Sequence, residues 1–122
     1  MNARSQRGAH WETYAANHLR DQGLEVIARG YRCRLGELDI VCRDGDTLVV
    51  VEVRARSTGS YTTALASIGL GKRQRIVNAA RHFLMRHPAW FQRPLRFDIV
   101  AIDGVDTNEP RLTWIRNAFD SD

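Results

Sequence analysis

Apolar and aromatic residues near the start of the chain recur with the period of a helix. They fall at positions i, i+3, i+4, i+7 and i+8, which places them on one helix face. These residues are Trp11, Tyr14, Ala15, His18 and Leu19. Gly23 follows them and is the residue type that most often ends a helix. The pattern predicts an amphipathic helix that ends before Gly23, preceded by a disordered polar segment over residues 1–7.

Later segments have the composition and the alternation of β-strands. The predicted strands cover residues 24–31, 37–43, 48–54 and 95–102, with a short edge strand over 111–115. The second and third flank Asp44-Gly45-Asp46, and an Asp-Gly pair between alternating runs is a strong signal for a hairpin.

A second helix is predicted over residues 72–87, and Pro88 ends it. Its apolar face consists of Ile76, Val77, Ala80, Phe83 and Leu84. Residues 55–71 carry three glycines and several Ser and Thr residues, so we expect a loop with a short helical turn over 64–68. The order of helix, three strands, helix and further strands predicts one layered α/β domain over residues 8–122.

Strand parity places charged residues together on one face of the predicted hairpin. Residues two apart share a face, so Glu37 lies beside Asp39 on one strand and Glu52 lies beside Arg54 on the next. The other face carries only apolar side chains and is expected to pack on a core. Its members are Leu38, Ile40, Cys42, Val49, Val51 and Val53.

The turn decides how the two acids meet. With Gly45 and Asp46 in the centre of the turn, Asp39 lies opposite Glu52; with the centre one residue earlier, the acids are diagonal neighbours. Opposed carboxylates repel each other, and a hard cation such as Mg²⁺ or Mn²⁺ removes the repulsion. We therefore predict a metal site at Asp39 and Glu52. The alternative is a solvated hairpin whose acids pair with arginines.

Charge adds a class of partner. The net charge is +4, and no acid occurs from residue 53 to residue 97. That stretch holds nine bases: Arg54, Arg56, Lys72, Arg73, Arg75, Arg81, Arg86, Arg93 and Arg96. A block of one sign favours a phosphate backbone, although a solvated basic helix face is the simpler alternative. Trp90 and Phe91 lie among these bases and either stack on an unpaired base or cover a core edge.

Other classes of protein lack support in the sequence. No apolar run approaches the roughly 20 residues of a membrane helix, and residues 1–7 do not resemble a secretory signal. We expect a cytoplasmic protein with no membrane partner. Cys33 and Cys42 are too few for a disulfide framework and should be free thiols, and the four histidines show no zinc-site spacing.

The hairpin carries a recognisable motif. Residues 36–41 (GELDIV) and 50–54 (VVEVR) resemble the core motif of PD-(D/E)xK nucleases. The chain as a whole is identified as a member of the YraN family, which is similar in pattern to archaeal Holliday-junction resolvases. Segments 8–16, 30–32, 72–80, 96–100 and 117–119 carry that resemblance. It implies a restriction-endonuclease-like fold with a central mixed β-sheet flanked by helices, and metal-dependent hydrolysis of DNA, including branched DNA.

The resemblance also implies roles for single residues. Asp39 and Glu52 match the metal-binding acids, and Glu12 matches an additional acid of resolvase-type members, although an ordinary exposed glutamate is as good an account. The motif has a lysine at the position where this chain has Arg54. Arginine can stabilise negative charge, but it does not release its proton at ordinary pH and is therefore a poor general base. Lys72, the only lysine in the chain, stands at the start of the second helix, near the expected end of the sheet, and is a second catalytic candidate; one survivor of a bias toward arginine is the alternative.

These observations lead to three hypotheses. The first is a nuclease that uses Mg²⁺ or Mn²⁺ at Asp39 and Glu52 and contacts nucleic acid, with DNA favoured over RNA, through the bases near the second helix. Those bases are Arg56, Lys72, Arg73 and Arg75. The second is a non-catalytic nucleic-acid-binding module, favoured by Arg54 in place of lysine. The third is a small interaction protein, including a homodimer. We also expect Glu37 to pair with Arg54 or with a nearby base.

Overall fold

The computed structural model describes residues 3–59 and 62–121, with side chains from residue 8 onward. The elements follow the order α1 (Ala3–Asp21), β1 (Glu25–Cys33), β2 (Gly36–Asp44), β3 (Thr47–Arg56), α2 (Leu70–Arg86), β4 (Leu95–Asp103) and β5 (Arg111–Phe119). A single 3₁₀ turn, Pro88–Trp90, follows α2 among the described residues. Both predicted helices and all five predicted strands are therefore present, and the hydrogen bond from Ser67 N–H to Thr63 O confirms the short helical turn before α2.

The strands form one mixed sheet in the order β1-β2-β3-β4-β5. Among the strands of the described residues, only β3 and β4 run parallel to each other. The helix α2 lies in the crossover that connects these two strands. This architecture is the α/β fold with a central mixed sheet that the resemblance implied.

Each face of the sheet is covered by one helix. On the α2 side, Phe83 and Ile76 pack on Val41, Val50 and other strand residues. On the α1 side, Ala15 and Leu19 of the helix pack on residues such as Val51. The sheet therefore has a buried apolar layer on both faces, which is expected when helices cover both sides. No helix of the described residues is long and apolar enough to cross a bilayer.

The hairpin between β2 and β3 has the first of the two predicted registers. Ile40 pairs with Val51 and Asp44 pairs with Thr47, so Gly45 and Asp46 are the central turn residues. Gly45 has φ 59°, the positive value that the first central position of a type II′ turn requires.

The predicted apolar face of the hairpin is wrong at one position. Ile40 and Cys42 pack on the α1 side as expected, whereas Leu38 packs on the α2 side beneath Phe83 and Tyr31. Strict alternation fails because β2 leaves β3 beyond Ile40 and continues only beside β1, where Tyr31 pairs with Leu38.

Two boundaries differ from the prediction. The helix α1 begins at Ala3, inside the segment 1–7 that we expected to be disordered; its Ala, Arg and Gln residues favour helix, and residues 1 and 2 lie outside the described part. The strand β5 extends to Phe119 instead of ending near Ile115 because its pairing with β4 resumes at Phe97 after a bulge. Cys33 and Cys42 are both free thiols, as predicted.

Candidate metal site at the fork of the sheet

The strands β2 and β3 separate where the two predicted metal-binding acids lie. Their backbone pairing ends at Ile40 and Val51, and Asp39 and Glu52 would form the next pair in this register. There Oδ2 of Asp39 accepts a hydrogen bond of 2.9 Å from the backbone N–H of Val53. The Asp39 side chain thus takes the place of the backbone carbonyl that would otherwise accept this hydrogen bond. We call the point where β2 and β3 separate, at Asp39 and Glu52, the sheet fork.

The two acids at the sheet fork are withdrawn from water and close to each other. The Glu52 side chain is buried, with 4% of the residue exposed, and Asp39 is half-buried. Burial raises the pKa of Glu52 to about 8, and the neighbouring charge of Asp39 acts in the same direction. Burial also raises the pKa of Asp39, against the hydrogen bonds from Val53 and Glu52. Without a cation, this pair therefore shares a proton near neutral pH.

Lys72 supplies the nearest positive charge. Its Nζ lies 3.0 Å from Oε1 of Glu52, and it stands in the first turn of α2. The lysine side chain is 43% exposed, so one end of this ion pair meets solvent while the carboxylate is covered. The structure thus brings Lys72 to the acids, as the sequence predicted for a lysine at the start of the second helix.

Glu12 approaches the same acids from α1. It is partly buried, and burial followed by the charge of Asp39 raises the pKa of Glu12 to about 7, against the opposing effect of Arg29. An ordinary exposed glutamate would not experience that field. The structure therefore places Glu12 beside the sheet fork rather than on a solvated helix face.

The other two charged residues of the predicted patch lie at its margins. Glu37 pairs with Arg32 of β1, with Oε1 3.5 Å from Nε, and not with Arg54. The Nε of Arg54 donates to Ser67 Oγ at 3.2 Å, in the loop before α2. Glu37 therefore pairs with a nearby base, which was one of the two kinds of partner predicted for it from the sequence. Sequence reasoning did not identify Ser67, because a serine in a loop gives no signal of its partner.

Two clefts open onto the acids from different sides. One, of about 220 Å³, is lined by Glu37, Lys72 and Arg75 in addition to the acids. The other, of about 310 Å³, is lined by Trp11, Glu12 and Arg54 as well as by the acids and Lys72. Larger depressions of about 510 and 560 Å³ lie elsewhere on the surface, at the start of α2 and beyond the end of β3. Chemistry rather than size distinguishes the clefts at the sheet fork, because only these two of the depressions named here contain both acids.

The predicted nucleic-acid contacts fall into two groups. Arg56 forms an ion pair with Asp103, at 2.7 Å between nitrogen and oxygen, and Arg73 donates to the carbonyls of Ile68 and Leu65. These two guanidinium groups are held by the protein itself. Lys72 and Arg75, in contrast, line the cleft at the acids.

The two candidate stacking aromatics differ in exposure. Trp90 packs against the α2-side core and lies under Arg93, whose guanidinium carbon is 4.7 Å from the ring centroid. Phe91 is 57% exposed. Trp90 therefore covers a core edge, which was one of its two predicted roles.

The donor set at the sheet fork fits a hard divalent cation with water ligands. In the described residues no three His, Cys, Asp or Glu side chains form a complete metal cluster. Two carboxylates are nevertheless the usual protein share for Mg²⁺, which keeps several waters and takes further oxygens from a substrate phosphate. The raised pKa values of Asp39 and Glu52 indicate a site where a cation would relieve repulsion and desolvation. We conclude that the residues present fit Mg²⁺ or Mn²⁺.

A third buried acid shows what a structural carboxylate looks like in this protein. Asp98 is 0% exposed and accepts hydrogen bonds from Arg96 Nε, Trp114 Nε1 and the backbone N–H of Asn117. This network was missed at the level of sequence, although one acid within the apolar run of β4 was a usable signal. Asp98 is enclosed by donors, whereas Asp39 and Glu52 face each other and the clefts.

Comparison with known proteins finds many chains that are similar in sequence to this one. The model of "Uncharacterised protein family UPF0102" matches residues 11–102. A UPF0102 protein of Pseudomonas fluorescens is 48% identical over 114 residues, covering 93% of each chain. A UPF0102 protein of Pseudomonas aeruginosa is 47% identical over 116 residues, covering 94% of this chain and 93% of its own. One of Legionella pneumophila is 40% identical over 116 residues, covering 95% and 96% respectively.

Proposed function

The chain belongs to the uncharacterised protein family UPF0102, the YraN family, and we propose that it is a divalent-metal-dependent nuclease that hydrolyses phosphodiester bonds in DNA. One observation carries the proposal: Asp39 and Glu52 meet at the sheet fork with Lys72 3.0 Å from Glu52. A purely structural role is a poor account of this pair, because facing acids withdrawn from water cost stability even where Lys72 and a shared proton offset part of the repulsion.

The acids hold the cation in this proposal. Asp39 and Glu52 supply one carboxylate each, and β2 and β3 fix their separation because both strands are anchored in the sheet up to Ile40 and Val51. Bound there, Mg²⁺ or Mn²⁺ would polarise a phosphate oxygen and lower the pKa of a neighbouring water.

Lys72 and Arg54 serve the phosphate. The ammonium of Lys72 reaches both clefts, and a lysine can stabilise developing negative charge and also exchange a proton. Arg54 lines the larger of the two clefts. Its Nε donates a hydrogen bond to Ser67, and its terminal nitrogens are left to bind a phosphate oxygen. Lys72 thereby supplies the chemistry of the motif lysine from a different element, and Arg54 supplies only charge.

Glu12 completes the acidic side of the larger cleft. It lies close enough to Asp39 for their charges to interact, and it comes from a helix that is packed on the sheet. We assign it to orienting water and substrate around the acids. Its contribution is smaller than that of Asp39 or Glu52, because it is more exposed than either.

DNA is the proposed substrate because the acids are flanked by bases and the chain as a whole is basic, with a net charge of +4. The resemblance to Holliday-junction resolvases directs the proposal toward branched or structured DNA. For a protein with such a substrate we propose a cytoplasmic location.

The test is cleavage of linear duplex, single-stranded and four-way-junction DNA, each with Mg²⁺ and with Mn²⁺. We expect metal-dependent cleavage of at least one substrate and its loss in Asp39→Asn and Glu52→Gln. Glu37→Gln is the matched control, since Glu37 lies at the rim of the same cleft but pairs with Arg32. Purified protein that binds DNA and cuts none of these substrates with either metal would refute the proposal.

A second function keeps the fold without the chemistry. It is favoured by one observation: the residue at the position of the motif lysine is Arg54, and its Nε bonds to Ser67 instead of an acid. A non-catalytic nucleic-acid-binding module predicts salt-sensitive binding to DNA that persists in EDTA and in Glu52→Gln, with no cleavage under any of the conditions above.

A further inference from the structure

The structure divides the nine bases between residues 53 and 97 by what they contact. Six are engaged with other groups of the protein, through ion pairs or hydrogen bonds at or within 4.0 Å. These are Arg54, Arg56, Lys72, Arg73, Arg93 and Arg96. Arg75, Arg81 and Arg86 are exposed and have no ion pair or side-chain hydrogen bond among the described side chains. These three, all on α2, are therefore the bases of the stretch that make no such contact within the described part of the chain.

The three free arginines lie on two different flanks of α2. Arg75 and Arg86 are eleven residues apart, which brings them within about 20° of each other around the helix axis. Arg81 is five residues from Arg86 and lies about 140° away from it. Arg75 and Arg86 thus share a flank, and Arg81 belongs to another.

Contacts with β1 identify the flank that Arg75 and Arg86 share. His82 lies between them along the helix, and its Nδ1 is 2.5 Å from the hydroxyl of Tyr31 in β1. Near the start of α2, the first residue of β2, which pairs with Cys33 of β1, is packed so tightly that a Cβ on Gly36 would lie 2.7 Å from the carbonyl oxygen of Arg75. The flank therefore faces the edge strand of the sheet, and we call it the β1 flank.

Arg34 extends the same surface. It is exposed in the turn between β1 and β2, next to the start of α2, and forms no ion pair or side-chain hydrogen bond among the described side chains. The nearest acid along the chain, Glu37, is already paired with Arg32. Arg34 therefore adds a positive charge at the β1–β2 turn to the charges of Arg75 and Arg86 on α2.

We infer that the β1 flank of α2, with Arg34, Arg75 and Arg86, binds the phosphate backbone of duplex DNA next to the acids at the sheet fork. This inference rests on the proposed function for its nucleic-acid partner. Arg75 lines the cleft that contains Asp39 and Glu52, so the flank is continuous with the reaction site. From Arg75 to Arg86 the helix rises about 16 Å, the axial span of about five phosphates on one strand of DNA.

The choice of DNA backbone over an acidic protein follows from this arrangement. The surface offers separated arginines in a row and is not a compact apolar patch with a charged rim. Arginine binds phosphate oxygens in a fork geometry, and two exposed arginines about 16 Å apart on one helix flank can each meet a phosphate of a backbone whose charges repeat.

The test compares two arginines of the same helix. Binding of fluorescein-labelled short duplex DNA is measured by anisotropy in EDTA across a series of NaCl concentrations, for wild type, Arg86→Ala and Arg81→Ala. We expect Arg86→Ala to reduce the slope of log K against log salt by about 0.9, the value for one lost phosphate contact. Arg81→Ala, equally exposed but on another flank, should leave the slope unchanged.

Each outcome decides between the flanks. Equal slopes for the two variants, or a larger loss in Arg81→Ala, would overturn the inference, as would the absence of salt-sensitive binding by wild type. Arg34→Ala provides a second variant, with the same expected loss as Arg86→Ala. EDTA removes metal-dependent cleavage from the measurement, so failure of the β1 flank leaves the cleavage test intact, and a protein that never cuts DNA can still bind it through this flank.

Discussion

The ammonium of Lys72 lies 3.0 Å from the carboxylate of Glu52, although the two residues come from different elements and the sequence motif places its lysine two positions after the acid. The helix α2 begins beside the sheet fork and delivers Lys72 in its first turn. The geometry therefore provides both an acid pair and a lysine without the usual spacing, and it makes Lys72 the residue whose removal is most informative.

Lys72→Met should lower kcat for DNA cleavage by about 10²- to 10³-fold, the usual effect of removing one group that stabilises transition-state charge. Lys72→Arg should restore binding of the phosphate but only part of the rate, because arginine does not exchange a proton. Single-turnover cleavage with Mn²⁺ measures both variants. Arg54→Lys is the matched comparison, and a Lys72→Met protein that cuts at the wild-type rate would exclude Lys72 from the chemistry.

Glu52→Gln and Asp39→Asn should each weaken Mn²⁺ binding by about 100-fold or more, because even partners that only orient metal ligands contribute about 10- to 100-fold. Isothermal titration calorimetry measures the affinity directly. Glu37→Gln should bind Mn²⁺ as wild type does, since its carboxylate contacts Arg32. Unchanged affinity in both acid variants would place the metal elsewhere.

The metal-free protein should lose stability as pH rises. Glu52 has its pKa raised from 4.5 to about 8 in the folded state, so the folded protein holds this proton more tightly than the unfolded chain does. The stabilising effect is complete below about pH 4.5 and is lost as pH rises through about 8. Asp39 and Glu12 act with the same sign.

Thermal melts of wild type and Glu52→Gln in EDTA, from about pH 5 to about pH 9, isolate this effect. Glutamine resembles the protonated acid, so the variant should gain stability relative to wild type as pH increases. Saturating Mn²⁺ should reverse the order at high pH, because only the ionised wild-type pair binds it. A difference in melting temperature that does not change with pH would show that Glu52 ionises normally.

Asp98→Asn should reduce the free energy of unfolding by about 3 kcal/mol, because it removes the charge that Arg96, Trp114 and Asn117 all contact. Urea denaturation measures the loss. Mn²⁺ affinity of the folded variant should match that of wild type. This variant therefore separates a carboxylate that maintains the fold from Asp39 and Glu52, and lost metal binding with unaltered stability would contradict the separation.

Gly36→Ala should destabilise the protein by about 1–3 kcal/mol and slow cleavage, because the new methyl group meets the carbonyl oxygen of Arg75 at 2.7 Å. Relief requires movement of the first turns of α2, which carry Lys72. Gly71→Ala is the control: it lies in the same helix, has open space at its Cβ position, and should stabilise by about 0.5–1 kcal/mol. Thermal melts and cleavage rates measure both, and a neutral Gly36→Ala would mean that the turn shifts freely.

The sequence predicted the helices and strands, and it predicted that the two acids would meet, because both depend on local rules. Alternation and the Asp-Gly turn reduced the pairing to two registers, both of which bring Asp39 and Glu52 to the same patch, and the structure has the register in which they lie opposite each other. The sequence placed Lys72 at the start of the second helix, and that end of the helix was expected to lie near the end of the sheet.

The remaining features depend on tertiary structure that no local pattern records. Leu38 changes sides because β2 leaves β3, and nothing in an alternating run shows where two strands separate. Arg56 and Arg73 looked like phosphate contacts by charge alone. Their partners are Asp103, nearly fifty residues away, and backbone carbonyls, which are the same in every sequence.

The hydrogen bond from Val53 to Asp39 also limits how the site can coordinate an ion. It takes one lone pair of Oδ2, and Lys72 contacts Oε1 of Glu52, so the second oxygen of each acid is the more open to a cation and monodentate coordination is favoured. Ca²⁺ favours six to eight oxygens and often a bidentate carboxylate, whereas Mg²⁺ is satisfied by single oxygens in an octahedron completed by water. If this site holds a cation, we therefore expect it to prefer Mg²⁺ or Mn²⁺ to Ca²⁺, because the Val53 amide in β3 bonds to Oδ2 of Asp39 where the two strands separate.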